Sequence, residues 1–511
     1  MAKYKHYDYG QAKMLPVRFE EQILPGTFEY TLNRLIDERF NLEVFDAHYK
    51  NDQAGAPAYD PAILLKIILY AYARGVTSSR EIERLCRENV VFMALSADSR
   101  PHFTTIAAFI ARLGDPIVSV FRDVLLVCDE MGLVGREMFA VDGVKLPSNA
   151  AKEWSGTKAD FGKKIEKMER AVEHLVKRHR EADERGEQSP AQQSRAKQID
   201  TLEAALTKVR GFLRYHEDKV GASGRVKKSN ITDPESAKIK TSKGVIQGYT
   251  GVAVVDGKHQ IVVGAEAFGE GQEHGLLVPM LEQTREAFRE LGRHDDVLAG
   301  TVVSADAGFH TEHNLKHLEA TGVDAYVADT LFRKRDPRFA TAERHKPSRE
   351  PDPDRLFGPE DFHFDEAARR CICPAGKRLY ANGSNVVIRG LRGMKFCGAK
   401  RDCGPCPLRA RCLRNPERTP VRQVVFFLGR ATGKPESASA RMKRKIDTDE
   451  GRYQYGRRLG TVEPVFANIC SAHRLRRFSL RSKKKVNAQW LLYCMVHNIG
   501  KLQRFGEERT R

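Results

Sequence analysis

The stretch "EMFAVDGVKLPS", residues 137–148, decides how the rest of the chain is read. Its first half combines aromatic, small apolar and β-branched residues, as a short buried strand does. An acid, Asp142, stands where that run ends. A second stretch, "LAGTVVSADAGF" at 298–309, repeats the pattern and ends in Asp306. Both acids have a glycine within two positions. Ligand sites in open α/β sheets gather at strand ends, so two such strands lying side by side would bring both carboxylates to one edge. For either aspartate alone, turn formation is the ordinary role; it is the pair that carries the reading.

Working outward, "GYTGVAVVD" and "QIVVGAEAFG", joined by a short glycine-containing turn, predict a β-hairpin. "HGLLVPMLEQTREAFRELG" and "TEHNLKHLEATG" predict helices, and "VDAYVADT" a further strand. Between the first strand and this hairpin, Phe161, Ile165, Met168, Val172 and Leu175 recur at spacings of four and three. Ile199, Leu202, Leu206, Val209 and Leu213 do the same, with the loop "RGEQSPAQQ" between the two runs. That pattern predicts an antiparallel helical hairpin inserted into the sheet. The element order gives a mixed-sheet α/β core with helices on its faces.

The remaining segments divide around that core. Residues 1–135 read as an N-terminal helical domain: Pro61 near one helix start, Ser78 with Glu81 as a capping box, and Gly114 as a stop. Short helices joined by tight turns fit a helix-turn-helix DNA reader or a plain bundle, and no recognition helix stands out. The core is expected in three parts, 136–155, 236–332 and 441–511, with the hairpin at 156–235. Residues 333–440 are expected to be an irregular cysteine-rich insertion. "KVNAQWLLYCMVHNIGKL" is apolar nearly all round, so it should be buried against the core. Trp154 and Trp490 are read as packing residues, and Cys86, Cys128 and Cys494 as core thiols.

The chain has 511 residues, with 86 Lys plus Arg against 67 Asp plus Glu, a formal charge of +19. That excess favours a polyanionic partner, since basic surfaces neutralise phosphates and release counterions. No apolar run is long enough to span a membrane, and the first residues carry no apolar signal region. A cytoplasmic, nucleoid-associated location is the expectation, with reduced thiols rather than disulfides.

A third acid, Glu463, lies in "YGRRLGTVEPVFANIC", 455–470. Thr461 is read as the cap of a late helix, with Pro464 in its first turn. Three converging carboxylates in a basic protein suggest a hard divalent ion, Mg²⁺ or Mn²⁺. A pair of such ions, about 3.5–4 Å apart, serves phosphodiester chemistry. Cys397, Cys403, Cys406 and Cys412 form a compact set for a structural Zn²⁺, with Cys371 and Cys373 as alternates and an iron–sulfur cluster as the second reading. "HRLRRFSLRSKKKV" packs Arg474, Arg476, Arg477, Arg481, Lys483, Lys484 and Lys485 together, as a clamp on phosphate backbone would.

Taken together, these stretches resemble bacterial insertion-sequence transposases with a catalytic DDE triad, in the branch called insertion-sequence family 1182. "FAVDGVKLPSNAAK" resembles the first-Asp motif and "VVSADAGFHTEHNLKHL" the second. "DPESAKIKTSKGVIQGYTGVAVVD" resembles a stretch typical of the branch. "VEPVFANI" followed by "RRFSLRSKKKVNAQWLLYCMVHNIGKL" resembles the glutamate motif and its C-terminal helix. The resemblance implies a ribonuclease-H-like fold whose first and fourth strands are neighbours. It implies Asp142, Asp306 and Glu463 as catalytic residues holding two Mg²⁺. It further implies cleavage at terminal inverted repeats, strand transfer into target DNA, and at least a dimer on paired ends. Tyr455 and Arg458 fit a Tyr, Arg, Glu, Lys signature, but the Arg-to-Glu gap is one residue longer than usual and Cys470 occupies the lysine position. The rival reading is a transposase-derived DNA-binding protein or repressor without catalysis.

Overall fold

The computed structural model describes residues 17–49, 57–185, 190–220, 224, 226–293, 295–339, 342, 355–383, 386–388, 391–430 and 436–506. The first sixteen residues and 186–189 of the hairpin loop lie outside them. The chain divides into two compact units, 1–329 with 442–511, and 330–441.

The larger unit is built on a six-stranded sheet. Its strands are β1 (Met138–Pro147), β2 (Ala237–Thr241), β3 (Gly244–Asp256), β4 (Val262–Phe268), β5 (Val302–Ala305) and β6 (Ala325–Val327). The order is β6-β5-β1-β3-β2, with β4 also paired to β3. β1 runs antiparallel to β3 and parallel to β5. The long β3 shares one edge between β2 and β4, its first residues pairing with β2 and the later ones with β4. Every residue of β3 from Gln247 to Asp256 is buried, so an apolar run rather than an alternating one marks this strand in sequence. The register pairs Val141 with Ala305, and β5 stops there while β1 continues for six residues.

The N-terminal helices form where the sequence predicts them: α1 (Phe28–Glu38), α2 (Pro61–Ala73), α3 (Ser79–Glu88), α4 (Val90–Leu95), α5 (Phe103–Arg112) and α6 (Pro116–Glu130). Asp60 caps α2 by accepting from Ala62 N, and Pro61 takes the first helical position. The expected Ser78 capping box does not form: Ser78 makes no side-chain cap bond, and Glu81 pairs with Arg84 instead. These helices share one compact unit with the sheet rather than forming a separate body. The inserted hairpin consists of α7 (Lys158–Asp183) and α8 (Pro190–Tyr215). Phe161, Met168, Leu206, Val209 and Phe212 make its seam, and Trp154 packs against them as expected.

Helices α9 (Leu277–Glu290) and α10 (Glu312–Ala320) follow β4 and β5. Then come α11 (Asp449–Ala467) and α12 (Lys483–Phe505). α11 begins thirteen residues before the predicted start: Thr448 rather than Thr461 is the cap, accepting from Gly451 N, and Pro464 lies inside the helix near its end. A proline removes the bond back to the residue four before it, and here the chain leaves α geometry four residues later for a π turn at Asn468–Ala472.

α12 packs between β4 on one side and α1, α2, α5 and α6 on the other. Its amides close an otherwise open strand edge. Asn498 bonds both N–H and C=O of Val262, and Asn487 accepts from Ala267 N. Trp490 is fully buried, donates Nε1–H to Val252 O at 3.0 Å, and lies so close to Gly251 that a Cβ there would stand 3.0 Å from its ring.

The unit at 330–441 corrects the expectation of an irregular insertion. It holds an antiparallel sheet, β7 (His363–Asp365), β8 (Arg370–Ile372), β9 (Arg378–Ala381), β10 (Val386–Ile388), β11 (Leu391–Cys397) and β12 (Gln423–Arg430). Phe362, Cys371, Leu379, Met394, Phe396 and Val424 form its core.

Trp490→Ala should cost about 3–5 kcal/mol, because it opens a cavity and removes the indole bond to Val252 O. Chemical denaturation checks this, and a loss below 1 kcal/mol would contradict the role given to α12.

Candidate active site

Asp142 and Asp306 each follow the paired residues Val141 and Ala305 on adjacent parallel strands, so their backbones sit about one strand spacing apart. Asp142 Oδ1 accepts from Gly143 N at 2.8 Å. Asp306 Oδ1 accepts from Gly308 N at 2.7 Å and caps a short 3₁₀ turn at Ala307–Phe309. Burial pushes the Asp142 carboxyl up; Arg458 opposes that rise and neighbouring Asp306 adds to it.

Arg458 comes from α11. Its Nη1 donates to Asp142 Oδ2 at 2.6 Å, and its guanidinium lies 5.5 Å from the centre of the Tyr455 ring. The Arg458 side chain is 8% exposed and its Nε is buried without a partner. Arg458 of the predicted signature therefore meets the first aspartate, and Tyr455 lies beside Arg458. Glu463 sits elsewhere on the helix. It is exposed, and five residues beyond Arg458 it points about 140° away around the helix. Among the described residues, no hydrogen bond or ion pair joins it to the two aspartates.

A third acid does reach them. Glu273, in the loop between β4 and α9, is 7% exposed. A Cβ at Gly143 would stand 2.8 Å from Glu273 Oε1. A Cβ at Gly308 would stand 2.6 Å from Glu273 Oε2 and 3.0 Å from Asp306 Oδ1. The Glu273 and Asp306 oxygens are thus no farther apart than the sum of those last two distances, and the two glycines make the space between them. Lys145 Nζ lies 3.4 Å from Glu273 Oε1. Burial pushes Glu273 up to about 7; Lys145 opposes this, while Asp306 and Asp142 add to it. Sequence reasoning missed Glu273 because "GEGQEHG" has no strand or helix period; its one signal is an acid in a glycine-rich turn directly after a buried strand.

The donor chemistry at this edge, carboxylate oxygens alone, suits a hard divalent ion. Burial and neighbouring acids already disfavour ionisation of Asp142 and Glu273, a cost that a cation would offset. Among the described residues, no three His, Cys, Asp or Glu side chains are arranged so that they could hold a metal ion. Asp142 and Glu273 are each turned to a base instead.

The basic segment after α11 is partly engaged within the protein. Arg477 and Arg481 bond the loop after β1 at Ser148 and Asn149. Lys483 pairs with Glu266 and Lys484 with Asp115. Arg474 packs on Gly75, while Arg476 and Lys485 are exposed. Cys470, at the usual lysine position, is half-buried and its thiol is pushed up to about 11 by burial. In the unit at 330–441, Cys373, Cys403, Cys406 and Cys412 line one cavity. Cys371 lies in the core there, and Cys397 bonds with the Tyr380 hydroxyl.

Residues 372–503 match the family described as a transposase DDE domain, and residues 17–112 match the transposase domain DUF772. These matches support a DDE-type insertion-sequence transposase. No curated protein matches the chain. The DDE-domain match contains Arg458 and Glu463 and ends within α12. Among the described residues, no single helix is long and apolar enough to cross a membrane.

Arg458→Met should destabilise the protein by about 3 kcal/mol, because it leaves Asp142 buried beside Asp306 without its cation. Adding Asp142→Asn should recover most of that loss. Denaturation midpoints of the single and double variants measure the coupling, and strictly additive losses would contradict it.

Proposed function

We propose that the protein is a DDE transposase that cleaves DNA at the ends of its insertion sequence and joins the freed 3′ ends to target DNA. The observation that carries this reading is the adjacency of Asp142 and Asp306 on parallel β1 and β5, in a chain matching transposase domains at both ends. A central strand paired antiparallel on one side and parallel on the other fits the ribonuclease-H-like fold that the resemblance implies. Asp142 and Asp306 would hold Mg²⁺ or Mn²⁺, two ions in the resemblance; Glu463, its third acid, faces solvent on α11 and would join them only after the helix turns that side chain inward. Divalent ions bound there would supply activation of the attacking hydroxyl and stabilisation of the leaving oxygen.

The protein's own groups position the substrate. Arg458 moves from Asp142 to a phosphate oxygen, where its unpaired Nε gains a partner. Arg476 and Lys485, with the bases around them, bind the phosphate backbone without reading sequence. The N-terminal helices read the terminal inverted repeats, and two chains pair the ends on the nucleoid. Cys373, Cys403, Cys406 and Cys412 would hold a structural Zn²⁺; four free thiols around one cavity support that set, with Cys373 in place of Cys397. The alternative is a transposase-derived repressor that binds the same ends without cutting.

With Mg²⁺, the wild type should nick DNA carrying the element's terminal repeats, and Asp306→Ala should lose on the order of 10⁴-fold in rate while still binding that DNA. Binding without cleavage in both proteins establishes the repressor. Purified protein should contain about one zinc per chain, lost in Cys406→Ser and retained in Cys397→Ser. Metal analysis showing zinc-free wild-type protein removes the zinc assignment.

A further inference from the structure

The unit at 330–441 is rich in bases. From Arg369 to Arg430, the span of β8 to β12, the sequence has 15 Lys plus Arg against two acids, Asp402 and Glu417. Some of these bases are spent inside the unit. Arg409 donates to the carbonyls of Cys403, Pro416, Thr419 and Pro420. Arg422 donates to those of Cys412 and Phe357, and Arg411 lies over the Phe357 ring.

The strand register decides which side of the sheet the others occupy. Phe364, Cys371, Leu379, Phe396 and Phe426 pack into the core of the unit. The alternate residues therefore face the other way: Ile372 opposite Arg378, Tyr380 opposite Cys397, Lys395 opposite Val425, and Phe427 opposite Gly393. Side-chain contacts agree. The Tyr380 hydroxyl bonds with Cys397, and a Cβ on Gly393 would stand 3.0 Å from Val425 Cγ1 and 3.3 Å from the Phe427 ring. This second face is open to solvent. Tyr380 is 54% exposed and Phe427 51%, and Ile372, Ile388, Leu391, Arg370 and Arg378 are exposed with them. Among the described residues, Arg370, Arg378 and Lys395 make no ion pair.

We propose that this face of the sheet binds single-stranded nucleic acid, with bases stacked on Tyr380 and Phe427 and phosphates held by Arg378 and Lys395. Exposed rings with bases between them suit unpaired nucleotides, which offer an anionic backbone and apolar base faces together. Lys395 stands on β11 midway between Cys397, the partner of Tyr380, and Gly393, the partner of Phe427. Strand rise and spacing put the two rings roughly 15–20 Å apart, so the face spans several nucleotides rather than one. A duplex presents phosphates and sugars to a flat surface and would leave the rings and Ile372, Ile388 and Leu391 unmatched. A second copy docked on the same face would bring like charges together. Such binding needs no metal and no cleavage, so it stands apart from the activity proposed above.

The test is the affinity of the full-length chain for fluorescent oligothymidylate in EDTA, read by anisotropy. Tyr380→Leu and Phe427→Leu should each weaken binding at least fivefold. Tyr380→Phe, which keeps the ring and loses the hydroxyl bond to Cys397, should bind as wild type. Phe427→Trp should bind, with its indole fluorescence quenched by the oligonucleotide beyond any change in wild type; a packing role would give no such response. Arg378→Ala and Lys395→Ala should weaken binding and lower its salt dependence. Wild-type affinity in the leucine variants, or no quenching in Phe427→Trp, overturns the proposal. A duplex of equal length bound as tightly, and weakened equally by the same changes, overturns it in favour of duplex DNA. Unchanged oligonucleotide binding with loss of self-association on sedimentation overturns it in favour of a second copy. If the leucine variants fail to fold, Arg378→Ala and Lys395→Ala decide: unchanged affinity and salt dependence there count against the proposal.

Discussion

Two carboxylates on neighbouring parallel strands repel one another, and much of the larger unit can be read as a response to that constraint. The Val141–Ala305 register sets Asp142 and Asp306 side by side, and the early end of β5 leaves that edge of β1 open. Backbone N–H groups of Gly143 and Gly308 each take one oxygen. Arg458 takes another, brought across the sheet by α11. Burial nevertheless keeps Asp142 raised and pushes Glu273 up to about 7, so ionising both acids together is electrostatically disfavoured. Two neighbouring acids disfavoured in their charged forms are a feature of functional sites.

The scaffold beneath the site is held by α12. A helix that is apolar nearly all round needs burial on every side. It obtains this by packing between β4 and the N-terminal helices, so those helices and the sheet belong to one body. His497 shows how completely it is enclosed: burial lowers its imidazole to about 3, and its two ring nitrogens meet Asn468 and the Gln260 carbonyl.

The strand-end aspartates were legible because apolar runs closed by an acid and a glycine have few other uses in a sheet. The hairpin helices and α12 were legible from period alone. What stayed hidden has physical reasons. Glu273 belongs to a turn whose place is fixed by tertiary bonds from Asn314 and Thr250, which no local pattern encodes. The start of α11 was misplaced because Pro464 and Thr461 look like a helix beginning, whereas neighbouring turns tolerate the proline near the helix end. The sheet at 330–441 went unread because its strands are mostly three or four residues long, too short to show alternation. Glu463 remains the residue on which resemblance and geometry differ most: its helix is where the motif implies, but its side chain faces solvent.

The most direct test of the whole account is a crystal structure of the chain grown with Mn²⁺ and DNA bearing the terminal repeats, with anomalous scattering recorded at the manganese edge. The account predicts anomalous density between the Asp142 and Asp306 carboxylates, with Arg458 turned from Asp142 to phosphate. Manganese absent from that edge, with Arg458 still paired to Asp142 on bound DNA, would contradict it.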